Sequence, residues 1–248
     1  MIARHRLRSL LTLTYLNGIL PIRSQPLYLI NLVGSPLSFL FFIWIASGGA
    51  LYPYAVGGGM LMTMLSIGTG LQTDIAHYKQ DLKLQDVMIA SPVEEWVYVG
   101  GLALSELVYS LPGIALFVLL WILGGWASLS AALTLAGVLI LVWAFASALG
   151  FTLATYFQDV RETFVFSPLI SLGLSVVPPV YYPIAYLPEW IRPYAYLSPT
   201  TYAADLIHGA VGLGGPTFTG AIVDWSVLLA FTVALFLLAA FKARWREP

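Results

Sequence analysis

Few residues in this chain have the type and spacing to do chemistry. Glu106 stands alone inside a long apolar stretch. If a helix starts at Val97, Glu106 lies roughly 13–14 Å along it at about 1.5 Å per residue. That is near the middle of an apolar membrane layer roughly 30 Å thick. A charge at that depth costs several kcal/mol, so the carboxyl must pair, face water or protein, or hold a proton. It could be a substrate-pathway or proton-linked acid, or it could make a polar bond between helices. The spacing leaves both readings open.

The second group is the polar segment Thr73–Trp96, which carries Lys83, Asp86, Glu94 and Glu95. Leu84, Val87, Met88 and Ser91 recur at helical spacing, which predicts a short amphipathic helix. Ser91, Pro92 and Glu94 suit the start of the next helix: a capping hydroxyl, a proline at the first position and an acid in the first turn. The segment reads as a docking element for a partner or as a solvated loop. The third group is Val177–Pro193, rich in proline and tyrosine: Pro178, Pro179, Tyr181, Tyr182, Pro183, Leu187, Pro188 and Trp190. Proline cannot continue a helix, and broken backbone at membrane depth survives only when buried in protein or lining a cavity. Ala146, Gly150 and Ala154 form a small-residue stripe that permits close helix packing.

Motifs of catalysis are missing from the sequence. There is no Gly-Lys dipeptide and so no phosphate-binding P-loop, no His-Glu-x-x-His, and no Gly-x-Ser-x-Gly. His5, His77 and His208 lie far apart, and no cysteine is present. The sequence therefore predicts a chain that is not an enzyme, with no metal and no cofactor of its own. Any ATP it uses must be hydrolysed by another polypeptide.

These groups must be positioned by membrane-spanning helices. The 248 residues are 59% hydrophobic and 9% charged, with mean hydropathy +0.86. A soluble domain carries about 25% charged residues. Positions 24–73 and 107–158 hold no Asp, Glu, Lys or Arg. Each stretch has room for about two spans of roughly 20 residues. The net charge of −1 argues against nucleic acid as a partner. The fold class is all-α and polytopic, with six spans near 27–47, 53–72, 96–123, 129–157, 163–182 and 222–241. Pro168 and Pro178-Pro179 interrupt the fifth. Residues 1–26 read as an N-terminal amphipathic segment at the membrane surface, and residues 27–248 as one transmembrane domain. Arg4, Arg6, Arg8, Arg23, Lys79, Lys83, Arg161, Lys242, Arg244 and Arg246 fall on one side, and Arg192 on the other. The bias of basic residues toward the cytoplasm predicts both termini there.

The order of these features resembles the permeases of type 2 ABC exporters. Gln85-Asp86-Val87-Met88-Ile89-Ala90-Ser91-Pro92-Val93 is similar to the family's cytoplasmic L-E-x-L-L-x-[ST]-P-V segment. Tyr181-Tyr182-Pro183 followed by Leu187-Pro188-Glu189-Trp190 is similar to its external [FY]-P … L-P-x-W segment. Ser198-Pro199-Thr200-Thr201-Tyr202-Ala203-Ala204-Asp205 is similar to N-P-x-T-Y-x-x-D. Departures are Pro178-Pro179 where Ser-Gly is common, Ser198 for Asn, His208 for Arg and Lys83 for Gly. The resemblance implies an inner-membrane permease working as a homodimer, or as a heterodimer with a related permease, beneath which two ATPase subunits bind ATP and Mg. It implies that the segment from Lys83 to Glu94 is the coupling helix, and that the Pro/Tyr segment forms short re-entrant external helices. The substrate would be a drug, lipid or lipid-linked glycan moved outward by alternating access. An ion-coupled transporter using Glu106 is the alternative, and a membrane-embedded enzyme a more distant one.

Overall fold

The computed structural model describes residues 2–24, 27–80, 94–157, 159–214 and 218–242. The described residues are helical with no strand. Helix α1 (Ile2–Thr14) passes through a π-turn (Tyr15–Ile19) into α2 (Leu20–Ser24). Then come α3 (Tyr28–Ala46), α4 (Tyr52–Gln80), α5 (Glu95–Leu123), α6 (Leu129–Tyr156) and α7 (Val160–Ser175). A 3₁₀ turn (Ile184–Tyr186), α8 (Arg192–Ala195) and α9 (Pro199–Ala210) precede α10 (Phe218–Lys242).

Among the described residues four helices are long and apolar enough to cross a membrane: Tyr52–Lys79, Trp96–Leu123, Leu129–Tyr156 and Thr219–Phe241. In α3 the apolar stretch is shorter, Val33–Ala46. Large apolar side chains point outward, among them Phe41, Phe42, Leu133, Ile140, Phe236 and Phe241. An outward apolar surface of this extent suits lipid and not water. The chain is an all-α, integral multi-pass membrane protein.

Helix α4 is the axis of the bundle, packing on α3, α5, α6 and α7. Two buried cores flank its length. Leu71, Ile75, Tyr98, Leu102, Phe151 and Ala239 pack together, with Leu13 against them. Met60, Leu61, Phe117, Val138, Tyr181 and Ile207 belong to the other core, toward the opposite end. At the α4–α6 crossing, Gly150 and Ala146 lie directly against the backbone of Gly68. The small-residue stripe read from the sequence makes a close helix contact in the bundle core, and Ala146 and Ala154 are each 1% exposed.

Three expectations need correction. The second helix does not stop at residue 72: Thr73–Gln80 continues α4 by about two turns. Leu71, Ile75 and Ala76 share a buried face that carries the helix beyond the end of the apolar run. The fifth helix ends at Ser175 and not near residue 182, because Pro178 and Pro179 leave residues 176–183 in bends. Helix α5 takes Glu94, and not Ser91, as its N-cap. The Glu94 carboxylate accepts from the Arg6 guanidinium and from Trp96 Nε1 instead, and the Arg6 guanidinium lies 5.8 Å from the Trp96 ring centre. This fastens α1 to the start of α5. Both charged side chains are more than 40% exposed, so the tie is worth at most about 1 kcal/mol. Glu94→Ala should lower the melting temperature by no more than about 4 °C, yet speed tryptic cleavage at Arg6 and Arg8. Unchanged cleavage would show that α1 is held by its apolar face alone.

Candidate functional site

A cavity of about 640 Å³ opens between α2, α3, α4, α5 and α7 and is reached also by the π-turn. One face of α4 builds its floor: Met62, Ser66, Thr69, Gly70, Thr73, Asp74 and Tyr78. These recur at intervals of three and four, the spacing of one helical face. The α4 hydroxyls are satisfied locally. Ser66 donates to the Thr63 carbonyl (2.6 Å), Thr69 to Ser66 (2.8 Å) and Thr73 to Thr69 (2.9 Å). Such back-bonding lets a helix present hydroxyl groups to a cavity without breaking its own ladder.

Glu106 reaches this cavity from α5 and hydrogen-bonds Asp74 on α4. Gly70 makes the approach possible, since a Cβ there would collide with Glu106 Oε2. Glu106 is therefore not alone, as its sequence setting suggests. It is half of a carboxyl pair between two helices. A carboxylate only accepts, so a hydrogen bond between two carboxyls requires a proton on one of them. One turn beyond Asp74, Tyr78 donates its hydroxyl to Asn17 Oδ1 at 2.6 Å. The segment joining α1 to α2 thus closes one side of the cavity.

Asp74 is a cavity residue that the sequence alone does not single out. As the first charge after a long uncharged run, it falls at the edge of the polar segment. The readable signal was the polar face Ser66-Thr69-Gly70-Thr73-Asp74, which keeps helical period across the supposed boundary. Of the docking residues, Glu94 is described as above. Lys83, Leu84, Asp86, Val87, Met88, Ser91 and Pro92 lie outside the described residues.

At the opposite end of the bundle, the Pro/Tyr segment divides into an anchored half and an open half. Pro178, Pro179 and Tyr181 are buried. The Tyr181 ring covers Gly58, stacks on Phe39 at 5.6 Å between centres and donates its hydroxyl to Met62 Sδ at 3.0 Å. Tyr182 donates to the carbonyls of Val176 and Val177 (3.3 and 3.2 Å), tightening the bend after α7. Beyond Pro183 the chain turns outward. Arg192 ties it by donating to the Leu187 carbonyl through Nε and the Ala185 carbonyl through Nη2, both at 3.0 Å. Leu187 is half-buried, while Pro188 and Trp190 are exposed. Helix α9 then returns into the bundle. Thr201, Ala203, Ala204 and Ile207 are buried against α4, α6 and α10. His208, also buried, meets Tyr54 edge-on at 4.5 Å. Burial holds the His208 imidazole at about 4, below its usual range, so it is neutral at physiological pH.

Asp205, on this short helix, has its carboxyl raised to about 6 by burial and then by the charge of Asp224. Its folded value lies above the unfolded one near about 3.9. The folded state therefore binds more protons between those values, and stability falls as pH rises from about 4 to about 6. Thermal melts should show a higher midpoint at pH 4.5 than at pH 7. Asp205→Asn should raise the pH 7 midpoint and shrink the difference. An unchanged pH profile in the variant would place the titration elsewhere.

The chain is thus a bundle of apolar helices, interrupted by a proline-rich segment, with a cavity between the helices. The ABC-2 type transporter family model matches residues 10–211. The match covers most of the chain, which belongs to that family. Among curated proteins none matches it. Membership makes this chain the membrane permease subunit of an ABC transporter, and not itself an enzyme.

Proposed function

We propose that this chain exports a hydrophobic or amphipathic substrate (a drug, a lipid or a lipid-linked glycan) from the cytoplasm or inner leaflet by ATP-driven alternating access. The observation that carries this reading is a polar cavity inside the apolar bundle of an ABC-2 type chain. In this reading α3, α4, α5, α6, α7 and α10 are the six crossings of the inner membrane. The ten basic residues on one side put both termini in the cytoplasm. Two permeases, identical or related, stand above two ATPase subunits that bind ATP and Mg, and this chain holds no cofactor. The segment from Lys83 to Glu94 docks into the ATPase. Its position between α4 and α5 suits it to the task, because those helices carry Asp74 and Glu106. A push on the segment changes the angle between them. The Pro178–Trp190 segment guards the exit on the external side, with Tyr181 as its anchor. ATP biases one arrangement over the other only through contacts that differ between the two.

The test is capture of the ATPase and reconstituted transport. Asp86→Lys should reduce ATPase co-purification at least about tenfold, the loss of one buried charged contact, and abolish substrate-stimulated ATP hydrolysis. Full capture with full stimulation would remove the docking role. Substrate movement in proteoliposomes driven by a proton gradient, without ATPase, would overturn the ABC reading in favour of ion coupling through Glu106.

A further inference from the structure

We propose that the cavity binds an amphipathic protonated amine, with its ammonium group on the Asp74–Glu106 pair and its apolar part against Phe164, Tyr109 and Met62. The proposal deepens the transport reading, on which the description of this ligand as a substrate rests.

Charge is the first argument. The hydrogen-bonded pair holds at least one proton, so it carries at most one negative charge. Among the described residues no Lys or Arg lines the cavity. Among the described residues the titratable groups that face the pair are Tyr78 and His77 from α4 and Tyr98 from α5, and Tyr109 from α5 lines the same cavity. A negative charge on this pair, half-buried at the cavity wall, is best matched by a positive charge supplied by the ligand. The ammonium form of an amine supplies that charge and also N–H donors that carboxylates and hydroxyls accept.

A second observation is independent of the acids. The Ser167 hydroxyl on α7 lines the same cavity, is 4% exposed, and has no hydrogen-bond partner. A buried hydroxyl left unpaired costs about 1–3 kcal/mol. It stands across the cavity from α4, where it can accept from or donate to a polar ligand. Pro168, the next residue of the same helix, lines the cavity beside it.

Size and wall chemistry select the rest of the ligand. A cavity of about 640 Å³ falls in the range that takes a drug-sized molecule, roughly 300–1,000 Å³. Phe164, Tyr109 and Tyr78 offer aromatic faces, which attract ammonium groups and pack on apolar rings. A bare metal ion fits less well: among the described residues no three His, Cys, Asp or Glu side chains converge. A neutral glycoside would satisfy hydroxyls but leave the charge unmatched.

The experiment titrates the full-length permease in lipid nanodiscs with dansylcadaverine, a fluorescent primary amine, and with the same compound acetylated on that amine. The amine should bind at least about tenfold more tightly than its acetylated form, the size expected for one charge-assisted contact. In D74N/E106Q the two should bind within about twofold of each other. Ser167→Ala should weaken the amine by about three- to tenfold. Equal binding of the two compounds to the wild-type protein overturns the proposal, and that comparison needs no variant to fold. A preference that survives in D74N/E106Q also overturns it. Tighter binding of a dansyl glycoside than of the amine would reassign the cavity to a sugar. Because the titration uses neither ATP nor the ATPase, failure here leaves capture of the ATPase and ATP-driven transport as separate tests of the broader reading.

Discussion

Gly150→Leu is expected to yield no monodisperse protein, and Gly150→Ala to yield protein with a melting temperature lowered by several degrees. A Cβ at Gly150 would fall well inside van der Waals distance of the Gly68 carbonyl oxygen, and one at Gly68 would meet the Ala146 carbonyl in the same way. Both obstacles are backbone, so no side chain can swing aside. The helices must separate, and α4 is the helix on which α3, α5 and α7 also pack. Overpacking a core costs about 1–3 kcal/mol even where side chains can adjust. At this chain length each kcal/mol is roughly 2–4 °C. Gly173 and Gly34 are the controls, since a Cβ at either meets nothing within 4 Å. Alanine there should be neutral or raise the midpoint slightly, because alanine is the better helix former by about 1 kcal/mol. If Gly150→Ala melts with Gly173→Ala, the crossing is not as close as described.

Tyr181→Ala should destabilise by about 3–5 kcal/mol, the range for deleting a buried aromatic side chain, and should impair export even where protein is recovered. Tyr181 is 2% exposed and is the one large residue of its segment wedged into the bundle. Its loss opens a space over Gly58 and unpairs the stack on Phe39. Tyr181→Phe keeps the ring and loses only the contact to Met62 Sδ, so it should cost less than about 1 kcal/mol. The reverse change makes the same point from the other side. A Cβ on Gly58 comes within 2.6 Å of the Tyr181 ring, so Gly58→Val should mimic Tyr181→Ala. Limited proteolysis near Tyr186 and Trp190 reads the release of the segment directly. A Tyr181→Ala protein with wild-type proteolysis and melting would show that other contacts hold the segment in place.

Gly57, Gly58 and Gly59 illustrate what a sequence does and does not say. Three consecutive glycines are poor helix formers. They lie inside α4, and each opens a seat for a different neighbour: Ile207, Tyr181 and Phe117. Nothing in the local sequence names those neighbours, because they come from elements about 60 to 150 residues away.

The membrane class followed from composition, since 9% charged residues cannot clothe a soluble surface of this size. Helix positions followed from the lengths of the uncharged runs. The close packing of Ala146 and Gly150 followed from small-residue spacing. These are local or additive properties, so the sequence by itself determined them. The partner of Glu106 was decided by tertiary structure alone. Asp74 is 32 positions earlier, on the far side of the polar segment, and joins Glu106 only because α4 extends to Gln80 and Gly70 lets α5 come close. Ser167 enters the same cavity from a third helix for the same reason. A hydrophobic run marks where a helix can lie in a membrane. Which of its few polar side chains meet depends on helix rotation and crossing angle, which are set by packing between segments distant in the chain.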